Sequence, residues 1–244
     1  MAASSLPRQL IAEFSGTALL VTVVVGSGIA AAQLSPSDVG LPVLENSTAT
    51  ALGLAVLILL FGPVSGAHFN PVVSLADWML GRRAASGIGG TTLLAYSVTQ
   101  VVGGIAGAML ANLMFDRRVI EIATKHRTTT GHLIGEVVAT AGLIALIFAL
   151  ARTERTGLSA AAVGAYIGAA YWFTSSTSFA NPAVTVGRVF SDTFAGIAPG
   201  SAPGFIAAQV VGGMIGLALV VVLYPDAARS ADEVVVPHHD TGAS

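Results

Sequence analysis

The chain has 244 residues, a formal charge of −2, 54% hydrophobic residues and only 10% charged residues. A soluble domain carries roughly 25% charged residues, so this composition indicates a membrane protein and disfavours a cytosolic enzyme. The 11 basic residues face 13 acidic ones, which disfavours a polyanion-binding protein, and the absence of cysteine excludes disulfides and thiolate metal sites.

Stretches with few or no charges predict six membrane-spanning helices, because a span needs about 20 apolar residues. The predicted spans are 9–32, 48–66, 89–112, 131–151, 157–176 and 203–224. The first is longer than the roughly 7–15-residue core of a signal peptide, so it is interpreted as a retained anchor. Two shorter apolar stretches, 70–80 and 181–190, begin with Asn-Pro and are too short to span. The polar ends, 1–7 and 226–244, are predicted to be flexible tails.

Three motifs recur in the same order in the two halves of the chain. They are Glu13 and Glu136, Asn70-Pro71 and Asn181-Pro182, and the Gln-Val-Val-Gly-Gly sequences that begin at Gln100 and Gln209. The last motif carries a GxxxG pair, at Gly103 and Gly107 and again at Gly212 and Gly216, which allows helices to approach closely. Each half holds three spans, so the second half enters the membrane from the opposite side, as in an inverted repeat. The single predicted domain and its two repeats cover 1–244, about 8–112 and about 131–224.

The two Asn-Pro pairs predict two half-helices that meet inside the membrane. Proline suits the first turn of a helix and asparagine is a favoured N-cap. Two segments of about 10 residues, placed end to end, cover the ~30 Å bilayer core. Two helix N-termini at the midplane oppose cations, while the cap amides can donate hydrogen bonds to water or a small neutral polyol. The predicted midplane caps are Asn70, Pro71, Val72, Asn181, Pro182 and Ala183.

These motifs resemble those of the aquaporin and aquaglyceroporin (major intrinsic protein) family. The resemblance lies in Ser65-Gly-Ala-His-Phe-Asn-Pro-Val72, in Ser178-Phe-Ala-Asn-Pro-Ala183 and in the Glu and Gln repeats, and it covers about residues 8–224. It implies an all-α membrane protein with six transmembrane helices, two re-entrant half-helices, one pore per subunit and a homotetrameric assembly. It also implies small neutral solutes as cargo and a location in the cell inner (plasma) membrane with both termini in the cytoplasm.

The family's narrow selectivity filter is matched here by small or medium residues. Arginine usually stands three residues after the second Asn, where this chain has Val184. Thr50 replaces the aromatic residue of the water channels, Ala169 replaces their histidine twelve residues before the second Asn, and Ser178 contributes its backbone. The resemblance therefore implies a wide, weakly polar filter without a charged or aromatic residue, similar to bacterial family members associated with arsenic handling.

The same resemblance implies that three buried polar side chains brace the re-entrant loops, namely Glu13, Glu136 and His68. For the two glutamates a role as proton carriers is the alternative, and for the histidine a pH gate. Arg188 lies one helical turn after Val184, and a mouth or structural role is favoured for it over replacement of the missing filter arginine. The basic loop 116–130 is interpreted as a solvated outer loop.

The sequence thus predicts a passive channel for small uncharged solutes, namely water, glycerol-like polyols and neutral arsenite or methylated arsenicals. A water-selective aquaporin is the first alternative. A secondary transporter, the second, would need coupling carboxylates near the midplane, for which only Glu13 and Glu136 are candidates. No HExxH or GxSxG motif occurs, so an enzyme is not predicted, and neither a cofactor nor a nucleic-acid partner is expected.

Overall fold

The computed structural model of the chain describes residues 4–84 and 87–225, which contain helices and no strand. The α-helices are α1 Leu6–Leu34, α2 Gly40–Ser65, α3 Pro71–Ala84, α4 Gly90–Met114, α5 Thr130–Arg152, α6 Ser159–Phe173, α7 Pro182–Gly187 and α8 Ala202–Leu223. Short 3₁₀ turns occupy Thr156–Leu158, Arg188–Phe190 and Pro199–Ser201. The all-α class with six long elements and two half-helices is confirmed, because α3 and α7 each begin at the proline of an Asn-Pro pair.

Five of the six predicted spans correspond, among the described residues, to helical segments that are long and apolar enough to cross a bilayer. They are α1, α2, α4, α5 and the run Pro199–Leu223 that contains α8. The sixth, α6, has 15 residues and ends at Phe173 because Thr174 adopts an extended conformation, so the predicted end at residue 176 is wrong. Helix α1 begins at Leu6, which shortens the predicted first tail. Residues 1–3 and the tail 226–244 lie outside the described residues.

The GxxxG glycines are contact points between neighbouring helices. A Cβ atom on Gly103 would lie 2.6 Å from the carbonyl oxygen of Phe14, and one on Gly107 would overlap the carbonyl of Ala18. Helix α4 therefore packs directly against the backbone of α1, because glycine leaves no side chain between them.

The second half repeats this contact. Cβ atoms on Gly212 and Gly216 would overlap the carbonyl oxygens of Val137 and Ala141 in α5. Val137 follows Glu136 as Phe14 follows Glu13, and Ala141 corresponds to Ala18. The two halves of the chain thus pack their first and third long helices through equivalent residues.

Each half-helix also packs against a glycine of the opposite half. A Cβ on Gly104 in α4 would lie 2.6 Å from the carbonyl oxygen of Ala183 in α7, and Gly213 in α8 makes room for the side chain of Val72 in α3. Sequence reasoning expects Val72 at the contact between the half-helices, whereas its side chain packs against α8. Gly213 explains how the larger residue of the first Asn-Pro motif fits without displacing α3.

Candidate functional site

The two asparagines cap the half-helices and link them to each other. Asn181 Oδ1 accepts the main-chain N–H of Ala183 at 2.9 Å and of Val184 at 3.2 Å, and Asn70 Oδ1 accepts that of Val72 at 3.0 Å. The amide of each asparagine donates to a carbonyl in the other re-entrant loop. These hydrogen bonds, both 2.7 Å long, join Asn70 Nδ2 to Ala180 O and Asn181 Nδ2 to Phe69 O.

The loops that lead to the asparagines have an unfavourable backbone conformation. Five non-glycine residues in them have a positive φ, namely Ala67, Phe69, Thr177, Ser178 and Ala180. Such a conformation costs about 1–3 kcal/mol per residue and persists only where the surroundings enforce it. A specific set of hydrogen-bond acceptors must therefore hold these loops in place.

Glu13 supplies these acceptors for the first loop. Its carboxylate, fully buried in α1, accepts the main-chain N–H groups of His68 at 3.0 Å and Phe69 at 2.7 Å. Ser65 Oγ donates to it at 2.6 Å and Gln100 Nε2 at 2.7 Å. Four donors around one buried carboxylate fix the loop in its strained conformation.

Glu136 holds the second loop in the same way. It is fully buried in α5 and accepts the main-chain N–H groups of Phe179 at 2.8 Å and Ala180 at 2.9 Å, and Gln209 Nε2 at 2.6 Å. The repeated Glu and Gln residues found in the sequence thus meet at each loop.

His68 lies beside the first cap. Its Nδ1 is 3.0 Å from Ser74 Oγ in α3, and its ring packs edge-on against Tyr96, with 5.4 Å between ring centroids. The side chain is buried and faces the central cavity. These contacts fix the ring at the wall of the cavity.

The central cavity passes between the two half-helix caps. Its volume, measured as the space open to the centres of water molecules, is about 60 Å³, and one water needs roughly 10–15 Å³ on this measure. The cavity therefore has room for several waters in a row. One set of lining residues is apolar, namely Leu20, Val24, Leu54, Ile58, Val73, Leu143, Ile147, Val163 and Ile167, and the polar set comprises Thr50, His68, Asn70, Tyr171, Ser178, Asn181 and Arg188.

Three of the four residues predicted for the filter line this cavity. They are Thr50, Ser178 and Val184, all buried. Ala169 lies on the exposed face of α6 and outside the cavity, so its predicted placement is wrong. Tyr171 faces the cavity instead, with its hydroxyl 3.2 Å from Thr50 Oγ1.

The helical period explains this correction. Residues four apart lie on the same face of a helix, and Val163, Ile167 and Tyr171 all line the cavity. Ala169 is two residues, or about 200°, away from that face. A count of twelve residues back from Asn181 misses this face of α6, whereas the periodicity of the inward residues identifies it.

Arg188 also lines the cavity, although sequence reasoning favours a mouth or structural role for it. The side chain is only 2% exposed. Its guanidinium carbon lies 3.4 Å from the centroid of the Phe179 ring, and its Nε donates a hydrogen bond to the carbonyl of Ala195. The expectation of a filter without charged or aromatic residues is therefore wrong, because Tyr171 and Arg188 belong to the cavity wall.

The basic loop 116–130 is folded against the second re-entrant loop. Arg127 is buried, donates through Nε to Gly196 O at 3.0 Å, and lies over Phe179 with 5.2 Å from the guanidinium carbon to the ring centroid. Partial desolvation and the charges of Arg127 and Arg188 lower the pKa of Lys125 to about 8. The interpretation of 116–130 as a solvated loop is wrong at Arg127, which is buried against the ring of Phe179.

Comparisons with known proteins agree with this architecture. The family model described as "Major intrinsic protein" matches residues 1–178. The chain is 47% identical over 215 residues to Aquaglyceroporin AqpS of Rhizobium meliloti (strain 1021), covering 88% of this chain and 89% of that protein. It is 30% identical over 174 residues to Aquaporin Z of Photorhabdus laumondii subsp. laumondii, covering 64% and 71% respectively.

A solved structure, that of the aquaglyceroporin from Plasmodium falciparum, has the same fold. It matches with a TM-score of 0.68 and 18% sequence identity, covering 91% of this chain and 99% of that chain. The match of the family model to most of the chain, the relative of similar length and the shared fold lead to one conclusion: the chain belongs to the major intrinsic protein family.

Proposed function

We propose that the chain is a passive transmembrane channel for small uncharged solutes, with glycerol and water as its basic cargo. The observation that carries this proposal is the cavity between the two asparagine caps, which offers amide donors within an apolar wall. A polyol needs both, because its hydroxyls must remain hydrogen-bonded while its carbon skeleton contacts apolar side chains. Membership of this family of channels also agrees with the prediction that the chain is not an enzyme.

We name the part of the cavity wall formed by Thr50, Tyr171, Ser178, Phe179 and Val184 the outer constriction. Its composition favours a polyol as cargo over water alone. Val184 and the rings of Tyr171 and Phe179 supply apolar contacts, while Thr50 and Tyr171 supply hydroxyls. Neutral arsenous acid carries three hydroxyl groups and can use the same contacts, so we include it, together with neutral methylated arsenicals, among the proposed cargo. Similarity to the aquaglyceroporin of Rhizobium meliloti supports the choice of glycerol.

Flux measurements on purified protein in proteoliposomes test this proposal. We expect glycerol and trivalent arsenic to enter at least tenfold faster than into empty vesicles, with water flux also raised. High water flux together with glycerol and arsenic uptake at the level of empty vesicles would instead identify a water-selective aquaporin.

The geometry of the two glutamates argues against a secondary transporter. Glu13 and Glu136 each accept several hydrogen bonds from the re-entrant loops, so neither is free to exchange a coupling ion. Glycerol uptake that rises linearly with concentration and ignores a proton gradient is therefore expected. Saturable, gradient-driven uptake would favour the transporter.

We further propose that the chain is one domain built as an inverted repeat and forms a homotetramer in the cell inner (plasma) membrane, with both termini in the cytoplasm. Large apolar side chains on the outer surface of the helix bundle, such as Leu52, Val56 and Leu59 of α2 and Trp172 and Phe173 of α6, are exposed in the single chain. Lipid and neighbouring subunits are the surfaces that can cover them.

A further inference from the structure

Arg188 is a buried cation without a carboxylate partner among the residues that the structure describes. In the described ranges 4–84 and 87–225 the salt bridge joins Arg117 to Glu121, far from Arg188 in sequence and on the outer loop. An arginine buried without a counterion is expensive. Its position in the wall of the cavity therefore calls for an explanation beyond packing.

The contacts of Arg188 leave most of its donors unused by the protein. Nε donates to Ala195, and the guanidinium plane lies over Phe179. Within the described residues neither terminal amino group donates a hydrogen bond, and Arg188 is part of the cavity wall. The two contacts orient the guanidinium, and its terminal N–H groups remain for a molecule in the cavity.

The position of Arg188 along the half-helix makes this arrangement possible. Four residues of helix rise by about 6 Å, which an arginine side chain can span. Side chains lean toward the N-terminus of their helix, and Arg188 reaches back to Phe179, two residues before the Asn181 cap.

The charges nearby do not neutralise this site. Arg127, Lys125 and Glu136 are the charged side chains that interact electrostatically with Arg188, and Arg127 lies on the same aromatic ring, Phe179. Glu136 already accepts two loop N–H groups. Three basic groups, Arg188, Arg127 and Lys125, thus outnumber the one carboxyl group of Glu136, and net positive charge remains at this end of the cavity.

We propose that Arg188 supplies the fixed positive charge and the free N–H donors of the outer constriction, in place of an arginine at the position of Val184. The inference rests on the proposed channel function and adds a specificity-determining residue to it. The guanidinium donates hydrogen bonds to oxygen atoms of passing solutes and repels small cations, and Val184 keeps the passage wide because the charge is set back by one helical turn.

The experiment compares four variants in proteoliposomes, with uptake of methylammonium and of glycerol as the two readouts. Arg188→Gln removes the charge, and Val184→Arg/Arg188→Gln moves the guanidinium back by four residues. Val184→Arg alone tests whether that position accepts arginine. Arg118→Gln is the matched control, because it removes one charge from an exposed position of the outer loop.

We expect Arg188→Gln to raise the ratio of methylammonium uptake to glycerol uptake at least tenfold over the wild type, because the fixed charge is gone, and to slow glycerol uptake itself, because the guanidinium donors are lost. The double variant should exclude methylammonium again and pass glycerol more slowly, and Arg118→Gln should match the wild type. Unchanged methylammonium exclusion in an Arg188→Gln channel that still passes glycerol would overturn the inference. A wild type that passes no glycerol would overturn the proposed function instead.

If the Arg188→Gln variant fails to insert into the membrane, the double variant decides whether the inference holds. If Val184→Arg/Arg188→Gln inserts normally and excludes methylammonium, the guanidinium acts in the cavity from either position, as inferred. If the double variant is lost while Val184→Arg alone inserts, the contacts of Arg188 with Ala195 and Phe179 are purely structural and the inference is wrong.

Discussion

Single buried residues hold the strained loops at the centre of the channel. Glu13 accepts hydrogen bonds from four donors and Glu136 from three. The loops that these carboxylates hold contain non-glycine residues with positive φ, which precede the asparagine caps. The carboxylates therefore offset a backbone conformation that the loop sequence would not adopt alone.

Glu13→Gln tests this role. The amide keeps one acceptor oxygen but turns an NH₂ group toward N–H donors, so we expect a loss of about 3 kcal/mol and a fall in the thermal midpoint of roughly 6–12 °C. Thermal unfolding in detergent measures it, with Glu154→Gln at an exposed position after α5 as the control. An unchanged midpoint together with lost proton-coupled uptake would indicate a proton carrier.

Tyr171 and Ala169 form a matched pair of test positions on opposite sides of α6. Tyr171 lines the cavity, whereas Ala169 is exposed on the opposite side of α6. Tyr171→Ala should widen the passage and raise the ratio of erythritol to water permeability by about fivefold or more, and Ala169→Phe should leave the ratio unchanged. Stopped-flow light scattering measures the permeability ratio of both variants. An effect of Ala169→Phe together with no effect of Tyr171→Ala would show that Ala169, and not Tyr171, lines the filter.

At the scale of the elements, glycine contacts set the distances between helices. Helix α4 lies on the backbone of α1 through Gly103 and Gly107, and α8 lies on α5 through Gly212 and Gly216. The first glycine pair holds together the helices that carry Glu13 and Gln100 beside the first re-entrant loop. The second pair does the same for the helices that carry Glu136 and Gln209 beside the second loop. Packing of the long helices thus fixes the position of the loop acceptors.

Gly107→Ala tests this packing. Its Cβ would overlap the carbonyl of Ala18 and force α1 and α4 apart, which should cost about 3 kcal/mol and lower the amount of folded protein in the membrane. Gly200→Ala is the control, because a Cβ there meets nothing within 4 Å. Equal midpoints for the two variants in thermal unfolding would refute the close contact.

At the scale of the whole molecule, the outer surface is apolar and the polar groups line the interior. Exposed apolar side chains such as Leu59, Leu94 and Val222 occur on three different helices, while the buried glutamates and asparagines face the centre. This is the inverse of a soluble globule and suits a bilayer with one internal passage.

The proposed tetramer gives a prediction at this scale. The protein mass in detergent, measured by light scattering with the detergent contribution subtracted, should be four times that of the 24.5 kDa chain. Trp172→Glu on the exposed face of α6 should reduce this mass if α6 contacts a neighbour, and Val222→Glu on α8 provides the comparison. A monomeric mass for the wild type under mild conditions would exclude the assembly.

The sequence by itself determined the membrane location, the long spans, the two half-helices and the repeated Glu and Gln residues. These features are local: runs of apolar residues, Asn-Pro caps and GxxxG pairs carry their meaning within a few turns of helix. Their boundaries shifted by a few residues, as at Phe173, because the end of a helix depends on what the following loop contacts.

The tertiary structure alone decided which side chains form the outer constriction. A difference of two residues rotates a side chain by about 200° on a helix, so the face that α6 turns toward the cavity selected Tyr171 over Ala169. Arg188 reached the cavity because Phe179 and Ala195, from separate loops, orient its long side chain. The placement of Arg188 combines contributions from several elements, and no local pattern in the chain encodes it.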